Sequence, residues 1–216
     1  EITNNADLIF LLDFNDLSRI GEYTETVKNS SSTKIMIDHH QDPNMNDADL
    51  VFSDTSSCST AQLLFEILDG LSFKSMINKD VAECIYAGIM TDTGSFKYSS
   101  TTSKTHMVIS ELIDAGAENS KVHDLIYDNY SEDRTKLLGY CLNDKLQIFP
   151  ELNSAIISLT EEELDRFNFK KGDTEGVVNY ALAIKGIIFA VFIAEKEGKV
   201  KLSLRSKGDF KVNEIA

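Results

Sequence analysis

The sequence is short of positive charge. Its 216 residues hold 21 Lys and Arg against 35 Asp and Glu, a formal net charge of −14. A long nucleic acid bound along a basic surface needs many Lys/Arg–phosphate contacts, so the composition argues against that partner. It leaves room for a short oligonucleotide or mononucleotide held by metal ions and a few basic residues. Cysteine is sparse too. Cys58, Cys84 and Cys141 are odd in number, widely spaced and form no CxxC pair. That pattern argues against structural zinc and fits reduced thiols in a cytoplasmic protein. No apolar run reaches the length of a membrane span, and no signal peptide is visible. There are only two prolines, no internal repeats and no low-complexity segment. What remains is 42% hydrophobic and 26% charged, the ordinary balance of a globular protein with one large or two small domains.

Against that background, residues 34–43, KIMIDHHQDP, stand out. An apolar run, Ile35-Met36-Ile37, meets Asp38-His39-His40. This is the pattern of a buried strand whose carboxyl end opens into a site, the place where ligands bind in open α/β sheets. Two further apolar runs end in the same way. Residues 7–13, DLIFLLD, close on Asp13, and residues 84–96, CIYAGIMTDTGSF, run into Asp92 and then Gly94. A single Asp at the end of an element is ordinarily a cap or a solvated terminus, and the paired histidines can equally be a solvated surface cluster. If the three ends converge, Asp13, His39 and Asp92 make a mixed N/O set suited to Mn²⁺, Mg²⁺ or Zn²⁺.

The surrounding pattern reads as α/β. Residues 7–13 and 33–37 are expected strands with a crossover between them, hence a parallel βαβ unit, and residues 50–52 are a short strand. Helices are expected over 60–71, 79–90, 103–114, 120–130 and 132–143. In the second of these Val81, Cys84, Ile85 and Ile89 fall at helical spacing, which places Cys84 in the core. His106 and His123 lie on helices without clustered partners and read as ordinary surface or cap residues. After Asn143 the texture changes. Strands are expected at 145–149 and 155–159, then a capping box at Thr160–Glu163, a helix at 177–184, and a hairpin of 187–194 with 199–204.

Three motifs in order, IDHHQDPN, YAGIMTDTGSFKYSSTTS and LSLRSKGDF, resemble the DHH phosphoesterase superfamily, in its branch of bacterial bifunctional nanoRNases (oligoribonucleases) and pAp phosphatases. The resemblance covers essentially the whole chain. It implies a parallel-sheet DHH catalytic domain at 1–130, a linker helix at 131–143 and a smaller α/β substrate-binding domain (DHHA1) at 144–216. It also implies two Mn²⁺ ions, with Mg²⁺ or Co²⁺ able to substitute. Asp13, His39 and Asp92 match metal ligands, Asp13 the one that bridges the ions. His40 matches the histidine facing the scissile phosphate, and Asp38 orients a histidine from behind. Arg205 matches a phosphate-binding arginine, with Ser206 beside it. Lys97 stands where many relatives carry Arg, and Glu175, Gly176 and Asn179 resemble a recurring EGxVN stretch without an assigned role. The family's His-x-x-x-Asp-x-Asp motif does not precede Asp13, and its Gly-Gly-Gly-His loop does not follow before Ala216, so the chain reads as the middle of a longer protein.

The implied activity is hydrolysis of short oligoribonucleotides to 5′-mononucleotides and of pAp (3′-phosphoadenosine 5′-phosphate) to AMP and phosphate. Partners would be short RNA and pAp, without long duplex nucleic acid or membrane; a homodimer is allowed. Other readings are a cyclic-dinucleotide phosphodiesterase, a RecJ-like single-strand exonuclease, a family II pyrophosphatase or a non-catalytic nucleotide-binding relative.

Overall fold

A computed structural model describes residues 3–212. They fall into two compact units, one up to Asp128 and one from Asn129, and the fold is α/β.

The first unit begins with strand β1 (Leu8–Leu12), a 3₁₀ segment at Leu17–Tyr23 and helix α1 (Thr24–Lys28). Strands β2 (Thr33–Asp38) and β3 (Leu50–Ser53) follow. The three strands run parallel in the order β1-β2-β3, as a strand–crossover–strand pattern requires. The apolar run of β2 is buried at Met36 and Ile37, and Asp38 at its end has no exposed surface. β1 is different. Only Leu11 is buried, while Leu8, Phe10 and Leu12 keep 41%, 54% and 43% of their surface.

Helices α2 (Thr60–Gly70), α3 (Lys79–Asp92), α4 (Ser103–Asp114) and α5 (Asn119–Tyr127) complete the unit. Ser59, Asn78 and Thr102 cap the first three, each accepting from a backbone N–H of the first turn. Their core joins Phe65, Ile85, Tyr86, Ile89, Met90, Val108 and Leu112. Two expectations are corrected here. α3 runs two residues past Met90, so Asp92 is its last residue rather than part of a loop. Cys84 is exposed, not core. The buried stripe of α3 is Ala82, Ile85, Tyr86, Ile89 and Met90, one position round the helix from the stripe starting at Val81. The two phases share Ile85 and Ile89, and packing against α2 and α4 selects between them.

Gly88 is where α3 meets α2 most closely. A Cβ there would lie 2.6 Å from the Cβ of Ala61. Gly88→Ala should therefore destabilise the unit by about 1–2 kcal/mol. The steric cost of overpacking outweighs the roughly 1 kcal/mol that Ala gains over Gly in a helix. A thermal melt checks this; an unchanged or raised Tm would show that the helices can separate freely.

The second unit opens with α6 (Glu132–Tyr140), capped by Ser131 and continued by a π turn at Cys141–Lys145. Leu137 and Cys141 are fully buried in this unit's core. A four-stranded sheet follows, from β4 (Leu146–Phe149), β5 (Ser154–Leu159), β6 (Phe189–Lys196) and β7 (Lys199–Ser206) in sequential order. β5 and β6 are parallel, and the two outer pairs are antiparallel. The crossover between β5 and β6 carries α7 (Glu161–Arg166) and α8 (Val177–Leu182). The Thr160–Glu163 capping box is present. Glu163 also accepts from Tyr140 Oη and Lys145 Nζ. Burial alone would raise its carboxyl, but these bonds, with the Thr160 N–H, outweigh it and hold the group at about 2.

Candidate metal centre

The ends of β1, β2 and α3 in the first unit deliver the polar groups of the site. Asp13 is the residue after β1. Its backbone sits in the left-handed region at φ 67, a conformation Asp tolerates better than most residues, and its N–H donates to Ile37 O at 3.2 Å. His39 and His40 follow β2. Asp92 closes α3, where the chain turns sharply through three successive left-handed residues, Gly94, Ser95 and Phe96, at φ 55, 60 and 66. Strained backbone of this kind persists only where its surroundings hold it. Here Phe96 packs against Tyr86 and His106, and buried Thr93 accepts the Phe96 N–H on its hydroxyl at 3.1 Å. A Cβ on Gly94 would stand 2.5 Å from the Tyr98 ring, so Gly is required there on both counts.

His39 Nε2 is the centre of the cluster. It lies 3.7 Å from Asp13 Oδ1 and 3.8 Å from Asp92 Oδ2. Its other nitrogen, Nδ1, is 3.4 Å from Ser57 O. A carbonyl only accepts, so a proton on Nδ1 satisfies that contact and leaves Nε2, between the two carboxylates, as the nitrogen able to ligate a metal. Each of the two carboxylates then faces the imidazole nitrogen. Metal–ligand bonds of about 2.0–2.2 Å put neighbouring ligand atoms roughly 3–3.6 Å apart, only slightly less than the spacing seen. The two spacings from His39 thus fit a divalent ion by donor type and by distance, while Asp92 lies outside the group of ligand atoms that are all within 4.8 Å of one another. Burial pushes the Asp92 carboxyl above its ordinary range, and the charge of Asp13 adds to the push. A cation between them would relieve both.

His40 stands beside this group, its ring 4.7 Å from that of His39. Ligand atoms of Asp13, His39 and His40 all lie within 4.8 Å of one another. His40 is fixed by Asp38, which accepts from Nδ1 at 2.7 Å and from the backbone N–H at 3.1 Å. Only Nε2 of His40 remains for outside partners, and the side chain is 41% exposed.

Sequence reasoning missed Thr60. The first residue of α2, it donates from Oγ1 to Asp13 Oδ1 at 2.8 Å, which fixes the carboxylate's rotation. The run Ser56–Thr60 signals a helix cap, and Ser59 fills that role. A hydroxyl one position beyond a satisfied cap was the available sign that Thr60 had another partner.

Arg205 and Ser206 lie in the second unit, at the end of β7. Arg205 is exposed and donates from Nη1 to Leu204 O; the Ser206 hydroxyl donates to Phe210 O. Glu175, Gly176, Asn179 and Arg205 line one pocket in that unit. Lys97 lies over the Tyr98 ring. His123 reaches Ser95 Oγ at 3.4 Å, and its ring meets Tyr127.

Residues 1–89 match the N-terminal domain of the DHH family. The chain is similar to the bifunctional oligoribonuclease and PAP phosphatase NrnA of Bacillus subtilis, at 31% identity over 82% of this chain and 56% of that protein. A probable protein of the same description from Streptococcus mutans is 30% identical over 84% of this chain and 57% of its own length. Among solved structures, an exopolyphosphatase-related protein from Bacteroides fragilis matches 99% of this chain and 62% of its own, at 41% identity and a TM-score of 0.95. The chain thus spans just over half the length of the two relatives. No helix among the described residues is long and apolar enough to cross a membrane.

Proposed function

We propose that the whole protein is a metal-dependent phosphoesterase that hydrolyses short oligoribonucleotides to 5′-mononucleotides and pAp to AMP and phosphate, with Mn²⁺ as the metal. The observation that carries this is the meeting of Asp13, His39 and Asp92 about one imidazole nitrogen. The names of the two relatives support the substrate class. Asp13, His39 and Asp92 would hold the ions, and Thr60 keeps Asp13 turned toward them. Divalent ions at such a site offset the ester's negative charge and the charge that builds on the leaving oxygen. Asp38 holds His40 so that Nε2 faces the scissile phosphate. As an imidazolium stabilised by Asp38, His40 donates the proton that the leaving oxygen takes up. Arg205 grips a phosphate remote from the scissile one.

The test is a panel on the whole protein with Mn²⁺: pAp, a diribonucleotide, a cyclic dinucleotide and pyrophosphate. AMP from pAp and mononucleotides from the diribonucleotide are expected. Turnover of pyrophosphate or the cyclic dinucleotide alone would replace this reading. Arg205→Ala should raise KM for pAp about ten- to a hundred-fold, the worth of one charge-assisted contact of roughly 1.5–3 kcal/mol. It should leave a substrate without the remote phosphate nearly unaffected. Equal losses on both substrates would mean that Arg205 supports the fold.

A further inference from the structure

Buried polar side chains are costly unless each finds a partner. Among the described residues eight polar or charged side chains are buried, and four of them, Ser57, Ser59, Thr60 and Gln62, fall within one short stretch. Buried Cys58 stands in the same stretch. A helix start needs one capping group, and Ser59 supplies it by accepting the Gln62 N–H on its hydroxyl at 3.0 Å. The other polar side chains of the stretch take no part in that cap.

Both ends of the stretch reach the metal centre. Ser57 O meets Nδ1 of His39 at 3.4 Å, and Thr60 Oγ1 donates to Asp13 Oδ1 at 2.8 Å. One turn of chain thus touches an imidazole and a carboxylate of the same site. Its middle is tied from behind. The Cys58 thiol donates to Gln62 Oε1 at 3.0 Å and accepts from Thr105 Oγ1 at 3.7 Å. Thr105 has no exposed surface and belongs to the capping box of α4. Gln62 extends the chain, donating from Nε2 to Glu66 Oε1 at 2.9 Å, and Glu66 pairs with Lys104 of α4. The bonds therefore run from α4 through Cys58 into α2 and back to α4. Burial pushes the Cys58 thiol above its ordinary range, and the charge of Asp92 adds to the push. The group stays a thiol, able to donate as well as accept.

We infer that the first turn of α2 is a brace that presets the metal centre, and that Cys58 is its positioning residue. Held between Gln62 and Thr105, Cys58 fixes the turn. The turn in its place fixes where Ser57 O and Thr60 Oγ1 hold His39 and Asp13. Support of this kind, one layer behind the ligands, sets their orientation before an ion arrives. The inference rests on the metal-binding part of the phosphoesterase reading and on no step of hydrolysis.

The experiment reads this coupling without turnover. The whole protein is treated with N-ethylmaleimide, with and without Mn²⁺, and mass spectrometry follows each cysteine. Coupling is reciprocal: if the turn presets the ligands of the ion, the ion must hold the turn closed. Opening of the turn is then suppressed by a factor of 1 + [M]/Kd. With Mn²⁺ at about ten times its Kd, Cys58 should react about ten-fold more slowly. Cys84 is exposed and Cys141 is buried in the core of the second unit, so both should react as before. Equal slowing of Cys58 and Cys141 would mean a general effect on the fold. An unchanged Cys58 rate with Mn²⁺ bound would leave the turn uncoupled. Either result refutes the brace.

Variants form the second arm. Cys58→Ala removes both bonds of the sulfur and should weaken Mn²⁺ binding about ten-fold in titration calorimetry, the lower end of what lost support for a ligand costs. Cys58→Ser keeps a donor and an acceptor and should stay within about three-fold of wild type. Equal losses in the two variants would refute the role of the thiol's hydrogen bonds. A Cys58→Ala protein that melts lower but binds Mn²⁺ as the wild type does would make Cys58 an ordinary core residue. If Cys58→Ala does not fold, the maleimide rates decide. A wild type that binds no Mn²⁺ would overturn the metal centre, and the brace with it; one that binds Mn²⁺ and protects Cys58 but cleaves neither pAp nor a diribonucleotide would overturn the phosphoesterase reading and leave the brace standing.

Discussion

Asp92→Asn in the whole protein is expected to lower kcat by about three orders of magnitude or more while KM changes little. Asn keeps the size of the side chain and its place at the end of α3, but a neutral amide is a poor ligand for a hard cation and removes one of the two carboxylates facing His39. The loss falls on the step in which charge builds on the ester, so it shows in kcat rather than in ground-state binding. Steady-state kinetics at saturating Mn²⁺, with metal affinity from titration calorimetry, check it. Loss of metal affinity should accompany loss of rate. A variant with wild-type turnover and wild-type metal affinity would remove Asp92 from the centre.

Asp38→Asn should cost roughly 10²- to 10⁴-fold in kcat/KM by a different route. Asp38 is fully buried and touches His40 through both carboxylate oxygens. An amide nitrogen turned toward Nδ1 would impose the other tautomer, and an amide oxygen there would not stabilise an imidazolium; loss of such an orienting carboxylate is costly in other His–Asp pairs. Because Asp13, His39 and Asp92 are untouched, metal affinity should stay within a few-fold of wild type. The split between rate and metal affinity distinguishes this outcome from that of Asp92→Asn. Activity within about three-fold of wild type, in a variant that melts normally, would show that His40 needs no partner.

The strands and the chemistry at their ends were legible because both follow from local pattern. Ile35-Met36-Ile37 is a continuous apolar run, and such a run leaves its backbone only a buried strand or helix to pair in. The polar residues that close it must then find partners, as buried Asp38 does in His40. The hairpin of β6 and β7 and the capping box at Thr160 were legible for the same reason, since turns and caps are decided within a few residues.

Contacts between segments distant in sequence were not. The phase of α3 was misjudged at Cys84 because its apolar residues allow two overlapping stripes, and only the packing of α2 and α4 chooses between them. Thr60 and Asp13 are 47 residues apart, and no periodicity links them. The sequence by itself determined which elements form and which residue types stand at their ends, because those depend on neighbours along the chain. The tertiary structure alone decided which of those ends share a site, because that depends on how strands pair and helices pack across tens of residues.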